Sequence, residues 1–155
     1  MTHQPIIRRT NASDLTAIAA IAEETGLFPA EALGGMIAGF LDGSAPDIWL
    51  TAECEGQTLG FGFCEPERFT NGTWNLLAIA TSPAFQGRGI GAALLRHLED
   101  LLRREGQRIL IVETIGTEDY ARTQRFYVAQ GYVEEARIRG FWDAGADKLT
   151  FWKQL

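Results

Sequence analysis

A short glycine-rich loop separates a strand-like segment from an amphipathic helix near the middle of the chain. The loop begins the stretch QGRGIGAALL at 86–95, which has three glycines within five residues. The apolar segment TWNLLAIAT precedes the loop at 73–81, and RILIVETI follows the helix at 108–115. This pattern predicts a parallel strand–helix–strand crossover. The loop amides and the N-terminus of the helix are suited to binding an anion.

The remaining segments predict a mixed α+β chain in the order β-α-α-β-β-β-α-β-α-β-β. This gives a mostly antiparallel sheet of about seven strands, with about four helices and one parallel crossover at the loop. Ser13 is the predicted N-cap of the first helix, and Thr117 that of the last. We expect a hairpin that turns at Glu55-Gly56-Gln57 and a loop over 140–147, GFWDAGAD, between the last two strands.

Composition limits the classes of function. The chain has 155 residues, which predicts a single domain over 1–155. Its net charge of −6 argues against nucleic-acid binding, and no apolar run reaches membrane-spanning length. The N-terminal MTHQPIIRRT lacks the apolar core of a signal peptide, so we expect the cytoplasm. We expect Cys54 and Cys64 to be free thiols, because the hairpin places Cys54 opposite a residue near Thr58. No histidine lies in a metal-ligand cluster, so we expect no metal site.

Two phosphate-binding motifs compete for the loop. A P-loop is excluded because Gly91 is followed by Ala92 and not by Lys and Ser or Thr. A dinucleotide fingerprint fits Gly87, Gly89 and Ala92, with Glu113 where an acid would bind the ribose. Residues 82–86 separate the strand from the first glycine of the loop, however, whereas the glycines of a dinucleotide fingerprint follow their strand directly. The chain also has one such crossover, which argues against a dinucleotide-binding fold.

A third interpretation rests on two motifs together. The segment IATSPAFQGRGIGAALL resembles the strand–Pro–loop–helix core of the GNAT superfamily of N-acetyltransferases, which use acetyl-CoA. RFYVAQGY at 125–132 is similar to that family's second signature. The element order also resembles the family fold over nearly the whole chain. The resemblance therefore implies that this chain is an acetyl-CoA-dependent acyltransferase.

The resemblance implies that backbone groups hold most of the cofactor. The loop amides would bind the pyrophosphate, and the pantetheine arm would lie along the strand before the loop. Tyr120 stands where the family often has an asparagine that contacts the arm, which puts this contact in doubt. The implied cofactor-binding residues are Ile79, Thr81, Gln86, Gly87, Arg88, Gly89, Ile90, Gly91, Ala92 and Tyr120.

The catalytic roles implied by the resemblance fall on two side chains. Tyr127 would donate its phenolic proton to the departing thiolate, since an ordinary tyrosine is protonated at neutral pH. The strand TWNLLAIAT lacks the carboxylate that many family members carry there. Glu113 is the nearest candidate base, acting through water, and the alternative is that it is a surface or capping carboxylate. Tyr127 could also serve only as a packing residue beside Phe126.

The acceptor site in the family lies between the first two helices and the loop that joins the last strands. Both segments mix aromatic and acidic residues here, which favours a small acceptor with a cationic amine, although the acids could equally be solvated surface charges. The residues that we expect to bind the acceptor are Glu24, Phe28, Trp142 and Asp143. The expected partner is a small-molecule or peptide amine, with a homodimer as a possible assembly. A non-catalytic acetyl-CoA sensor is the competing function.

Overall fold

The computed structural model describes residues 4–155, so the first three residues of the N-terminal segment lie outside the described part. Regular structure occupies most of this range. The strands are β1 (Ile6–Arg9), β2 (Ile48–Cys54), β3 (Gln57–Pro66), β4 (Thr73–Thr81), β5 (Ile109–Ile115), β6 (Val133–Asp143) and β7 (Ala146–Gln154). The helices are α1 (Leu15–Glu24), α2 (Leu33–Asp42), α3 (Ile90–Arg104) and α4 (Ala121–Ala129).

The strands are hydrogen-bonded in the order β1-β2-β3-β4-β5-β7-β6. Within residues 4–155, β4 and β5 form the one parallel pair. This confirms the predicted mixed sheet, the four helices and the single crossover. The chain is divided into two compact units. Unit 1 contains the described residues up to Glu65 together with Leu77–Leu101, and unit 2 contains Pro66–Leu76 and Leu102–Leu155.

Unit 1 has an apolar core between the two N-terminal helices and one face of the sheet. Apolar residues three and four apart give each helix a continuous buried stripe. Trp49 lies at the centre with no exposed surface, stacked on Phe63 with a ring separation of 4.2 Å. The buried members of this core are Ile18, Ile21, Ala22, Leu33, Ile37, Trp49, Phe61, Phe63, Ala78 and Ala80.

The first helix begins differently from the prediction. Ser13 is not the N-cap, because Asn11 starts a 3₁₀ turn at Ala12–Asp14 that runs directly into α1. The Asn11 side chain accepts a hydrogen bond from the Ser13 amide at 3.0 Å, and the Asp14 carboxylate accepts one from the Asn11 amide at 2.9 Å. This reciprocal capping box leaves Ser13 inside the turn. Thr117 does stand before a 3₁₀ turn that leads into α4, but its side chain makes no capping bond.

Two hairpin turns are tighter than expected. Cys54 pairs with Gln57 rather than with a residue near Thr58, because the turn contains only Glu55 and Gly56. Both cysteines are nevertheless free thiols, as predicted. In unit 2, the expected loop over 140–147 is mostly strand, because Asp143 pairs with Ala146. The Asp147 carboxylate holds this end of the hairpin by accepting hydrogen bonds from Arg137 at 2.7 Å and from the Gly140 amide at 2.9 Å.

Asp14 joins three elements of unit 1. Its carboxylate, 5% exposed, accepts two hydrogen bonds of 2.8 Å from the Arg8 guanidinium. Arg8 also binds Glu53 on β2 at 2.7 Å, and the Thr51 hydroxyl donates to Asp14 at 3.2 Å. The Arg8 hydrogen bonds hold the pKa of Asp14 below its ordinary value. The network therefore ties β1 and β2 to the start of α1 through one ionised carboxylate.

Replacing Asp14 by asparagine should lower the free energy of unfolding by about 2 kcal/mol at pH 7, because charge-assisted hydrogen bonds are lost. The folded-state pKa of Asp14 lies below its unfolded value. The stabilisation is therefore present above about pH 4 and disappears as the pH falls through the folded-state pKa. Urea unfolding at several pH values measures this. Asp42→Asn is the control, since that carboxylate is exposed and is hydrogen-bonded only locally, by the amide and side chain of Ser44. Equal losses in the two variants would contradict the assignment.

Candidate functional site

β4 lies between β3 and β5, but its pairing with β5 covers only the first half of its length. Its register with β5 runs from Thr73 opposite Ile109 to Leu76 opposite Val112, and ends there. Beyond that point, the Ser82 amide donates to the Leu59 carbonyl of β3 at 2.8 Å. Because the backbone groups of a strand alternate in direction, those of Ile79 and Thr81 point away from β3. The second half of β4 thus presents backbone donors and acceptors along one edge.

The loop after β4 is exposed and built on two left-handed glycines. Gly87 and Gly89 have φ values of 78° and 81°, and a Cβ atom at either would meet no neighbour within 4 Å. Their conformation, rather than space, therefore demands glycine. The Gln86 side-chain amide donates to the Thr81 carbonyl at 3.2 Å, which joins the loop to the end of β4. The Arg88 guanidinium lies 5.3 Å from the centre of the Phe85 ring.

The N-terminus of α3 follows this loop directly. Ile90, 4% exposed, anchors the first turn in the interior of unit 1. The first hydrogen bond at the start of α3 runs from the Ala93 amide to the Gly89 carbonyl at 3.0 Å. The amides of Ile90, Gly91 and Ala92 precede it and have no acceptor one turn earlier in the helix. With the helix dipole, these amides favour a bound anion such as a phosphate.

Tyr127 lies inside unit 2 on α4. Its side chain is 4% exposed and packs against Phe126, Tyr132 and Phe151, with ring centres 5.1, 5.7 and 5.8 Å away. Burial raises the pKa of the Tyr127 phenol well above its ordinary value. The phenol therefore keeps its proton at neutral pH and can act as a hydrogen-bond donor.

Glu113 forms an ion pair that sequence reasoning missed. Its carboxylate lies 3.4 Å from the ammonium group of Lys148, which is itself only 13% exposed. The same ammonium group lies 4.1 Å from the centre of the Phe141 ring, a cation–π distance. The β5–β7 register, which places Glu113 opposite Thr150 and Ile115 opposite Lys148, creates this contact. No local sequence pattern specifies that these two strands are neighbours, so the pair could not have been predicted.

The other predicted residues of unit 2 have varied surroundings. Tyr120 is 40% exposed at the start of α4, where its backbone amide donates to the Thr117 carbonyl. The Trp142 indole donates to the Thr114 carbonyl at 3.2 Å and remains 44% exposed, next to Phe141. Asp143 accepts from the Ala144 amide at 2.7 Å, which is a turn-stabilising role. Trp142 therefore retains surface available to a ligand.

The two predicted acceptor residues of unit 1 differ in burial. The Phe28 ring packs edge to face against Phe61 at 6.0 Å, so it is half-buried against the apolar core. Glu24 is exposed at the end of α1 and lines an open groove of about 500 Å³. Arg8, Asp14 and Glu53 also line this groove, together with polar residues such as Thr58 and Ser82. In the part of the chain that the structure describes, no hydrogen bond or ion pair engages the Glu24 carboxylate.

Neither a metal cluster nor a membrane span is found in residues 4–155. No group of three or more His, Cys, Asp or Glu side chains could hold a metal ion there. No helix within the same range has the length and apolar character needed to cross a membrane.

Comparisons with known proteins place this geometry in a family. The family model of the acetyltransferase (GNAT) family matches residues 16–132. An uncharacterised N-acetyltransferase of Methanocaldococcus jannaschii is 26% identical over 149 residues, which cover 96% of this chain and 91% of that protein. A Desulfovibrio desulfuricans structure assigned to the GNAT family has a TM-score of 0.88 and 30% identity, and the match covers 97% and 98% of the two chains. A Salmonella typhimurium protein, described as an acetyltransferase and solved with its cofactor acetyl-CoA, has a TM-score of 0.78 and 21% identity over 98% and 94%.

Substitutions at two glycines should have opposite effects on stability. Gly89→Ala should lower the free energy of unfolding by about 1 kcal/mol, because a residue with a Cβ is disfavoured in the left-handed region. Gly35→Ala is the matched control, since Gly35 is an exposed residue of α2 with no neighbour near its Cβ position. It should raise the free energy by roughly 0.5 kcal/mol or more. Denaturant unfolding of both variants measures this, and a neutral Gly89→Ala would show that the loop does not need this backbone conformation.

Proposed function

Because the chain belongs to the acetyltransferase (GNAT) family, we propose that it transfers an acetyl group from acetyl-CoA to the primary amine of a small cationic acceptor. The observation that carries this proposal is the half-paired strand β4. Beyond Leu76, the edge of β4 away from β3 leads into a loop and then a helix N-terminus whose first amides have no acceptor within the helix. An extended amide-containing arm that ends in a pyrophosphate matches both features.

The cofactor would be held mainly by the backbone. Ile79 and Thr81 would pair with the amide groups of the pantetheine arm, as a short added strand would. The amides from Gln86 to Ala92 would bind the pyrophosphate, and Arg88 would add positive charge at its edge. Tyr120, exposed at the start of α4, would contact the arm. The Salmonella typhimurium relative, which holds acetyl-CoA, supports this choice of cofactor.

Acetyl transfer would proceed by direct attack of the neutral amine on the thioester carbonyl. A bond forms between the amine nitrogen and the carbonyl carbon, and the bond from that carbon to sulfur then breaks. Backbone amides of β4 would stabilise the oxyanion, and Tyr127 would donate its hydrogen to the departing thiolate. Its raised pKa keeps the phenol protonated throughout the neutral range, so Tyr127 would act by donating a hydrogen bond to the sulfur.

The amine must lose a proton before or during the attack. Glu113 would accept this proton through water, with Lys148 fixing the position of its carboxylate at 3.4 Å. The same ion pair favours the competing function, a non-catalytic acetyl-CoA sensor, because it gives Glu113 a structural partner. Binding of acetyl-CoA without turnover on any amine would support the sensor.

The residues proposed to bind the acceptor come from the first helices of unit 1 and from the β6–β7 hairpin of unit 2. Glu24 supplies an exposed carboxylate, while Phe28 and Trp142 supply aromatic surface and Asp143 a second acidic group. This set suits a primary ammonium group, which must lose its proton before attack. A peptide amine is the competing acceptor. We place the reaction in the cytoplasm on the sequence evidence.

A panel of amines tests the acceptor class. Release of free CoA thiol from acetyl-CoA should be fastest with polyamines or aminoglycosides and slower with neutral amino acids and with peptides. Glu24→Gln should raise KM for the cationic acceptor several-fold with little change in kcat, because a charge contact in binding is lost. Glu105→Gln is the control, since that exposed carboxylate follows α3. Turnover confined to neutral, anionic or peptide acceptors would overturn the proposed class.

Tyr127→Phe should reduce kcat by roughly 100-fold, because the departing thiolate loses its hydrogen-bond donor. Calorimetry should show unchanged affinity for acetyl-CoA. Tyr132→Phe is the matched control, because it removes the same hydroxyl group from a neighbouring ring that is 3% exposed. Wild-type kcat should also show no loss through ionisation of Tyr127 up to about pH 10. Equal kcat values for Tyr127→Phe and wild type would remove Tyr127 from the reaction.

A further inference from the structure

β6 is the edge strand of unit 2 and is unusually exposed. It pairs with β7 on one side, and the order of strands leaves its other edge without a partner in residues 4–155. All 11 of its residues are exposed. The strand at the opposite end of the order, β1, has only 4 residues. A long open edge offers a row of unpaired backbone donors and acceptors to another strand.

The exposed side chains of β6 include several large apolar groups. Within the described range, these are Val133, Ile138, Phe141 and Trp142, which are 54%, 48%, 49% and 44% exposed. Soluble proteins place such residues singly on their surfaces, whereas a concentration on one strand marks an interaction surface. Apolar side chains at an open edge add burial to the backbone pairing of an added strand.

Near its centre, β6 has two acidic residues followed by two basic ones, and Asp143 adds a further acid at the last position of the strand. The acidic pair is Glu134 and Glu135, and the basic pair is Arg137 and Arg139. Arg137 is bound to Asp147, yet its side chain stays 45% exposed. In the part of the chain that the structure describes, no side-chain hydrogen bond or ion pair engages Glu134 or Glu135. The strand is therefore complementary in charge to an antiparallel copy of itself, whereas a parallel copy would place like charges together.

We propose that β6 is the interface for a second copy of this chain, which pairs antiparallel with it about a two-fold axis near Ala136 and Arg137. The acidic pair of each strand then faces Arg139 of the other, and the apolar side chains of both strands lose exposure. This arrangement is isologous and closed, so it stops at a dimer. It involves none of the catalytic or cofactor-binding residues proposed above, while Trp142 and Asp143 of the proposed acceptor site lie near the end of the same strand.

Charges and irregular register are also devices that keep edge strands from pairing. β6 has register shifts between Glu134 and Ala136 and between Ile138 and Asp143. An edge strand that is protected from pairing needs charges of only one sign, however, because like charges repel a second copy of the same strand. The segregation of two signs along one strand favours self-recognition instead, and the protective alternative corresponds to a monomer.

Light scattering after size exclusion should give wild type a mass twice that of the chain at about 100 μM, since dimers depend on protomer concentration. Glu134→Arg/Glu135→Arg places arginine opposite Arg139 of the other copy and should give monomers. Arg139→Glu should also give monomers, because it places glutamate opposite Glu134 of the other copy. When the two variants are mixed, they should form a heterodimer. A fusion tag that enlarges one of the two chains makes this heterodimer distinguishable by mass. Circular dichroism checks that each variant is folded.

The control is Glu31→Arg/Glu105→Arg, which makes the same change in net charge at exposed positions away from β6 and should remain dimeric. Rescue by mixing separates charge pairing across β6 from a general effect of net charge. A wild-type monomer at this concentration would overturn the proposal. Dimers that persist in both β6 variants would overturn it as well, as would monomers that fail to associate when the two are mixed.

Discussion

The partial pairing of β4 is the constraint on which the candidate site depends. Its first half is held by β5, and its second half stays attached to β3. That attachment needs a glycine on β3, because a Cβ at Gly60 would lie 2.6 Å from the Ala80 carbonyl oxygen. The close approach keeps the end of β4 beside β3 up to the loop. The second half of β4 can therefore present its edge away from β3 to a ligand and still lead into the loop before α3.

The loop and the start of α3 also offer backbone groups, and not side chains, to a ligand. Gly87 and Gly89 set the path of the chain, and Ile90 anchors the helix, so the amides between them are fixed without side-chain ligands. An anion site of this kind places few demands on side-chain identity. Its sequence signal is correspondingly weak, since two other glycine motifs are consistent with part of the same ten residues. The distant RFYVAQGY segment, which contains Tyr127, is what separates these interpretations.

Sequence reasoning succeeded where the signal was periodic and failed where it depended on contacts between distant residues. The sheet, helices and crossover follow from apolar spacing over many residues. Ser13 was a reasonable N-cap, but the buried Asp14 carboxylate, drawn to Arg8, moves the cap to Asn11. The aromatic and glycine residues at 140–147 resembled a loop, yet Asp147 stabilises a hairpin by binding Arg137 across it. The ion pair between Glu113 and Lys148 similarly required the strand order.

These contacts also change the argument for a cationic acceptor. Of the acidic groups in the segment 140–147, Asp147 is bound by Arg137 and the Gly140 amide, and Asp143 by the Ala144 amide. The acidity of the hairpin therefore has a structural explanation that needs no ligand. Glu24 differs, because it is exposed, lines a groove and has no partner in the described residues. The case for a cationic acceptor thus depends chiefly on Glu24, while Trp142 contributes a partly exposed aromatic surface whose position its hydrogen bond to Thr114 fixes.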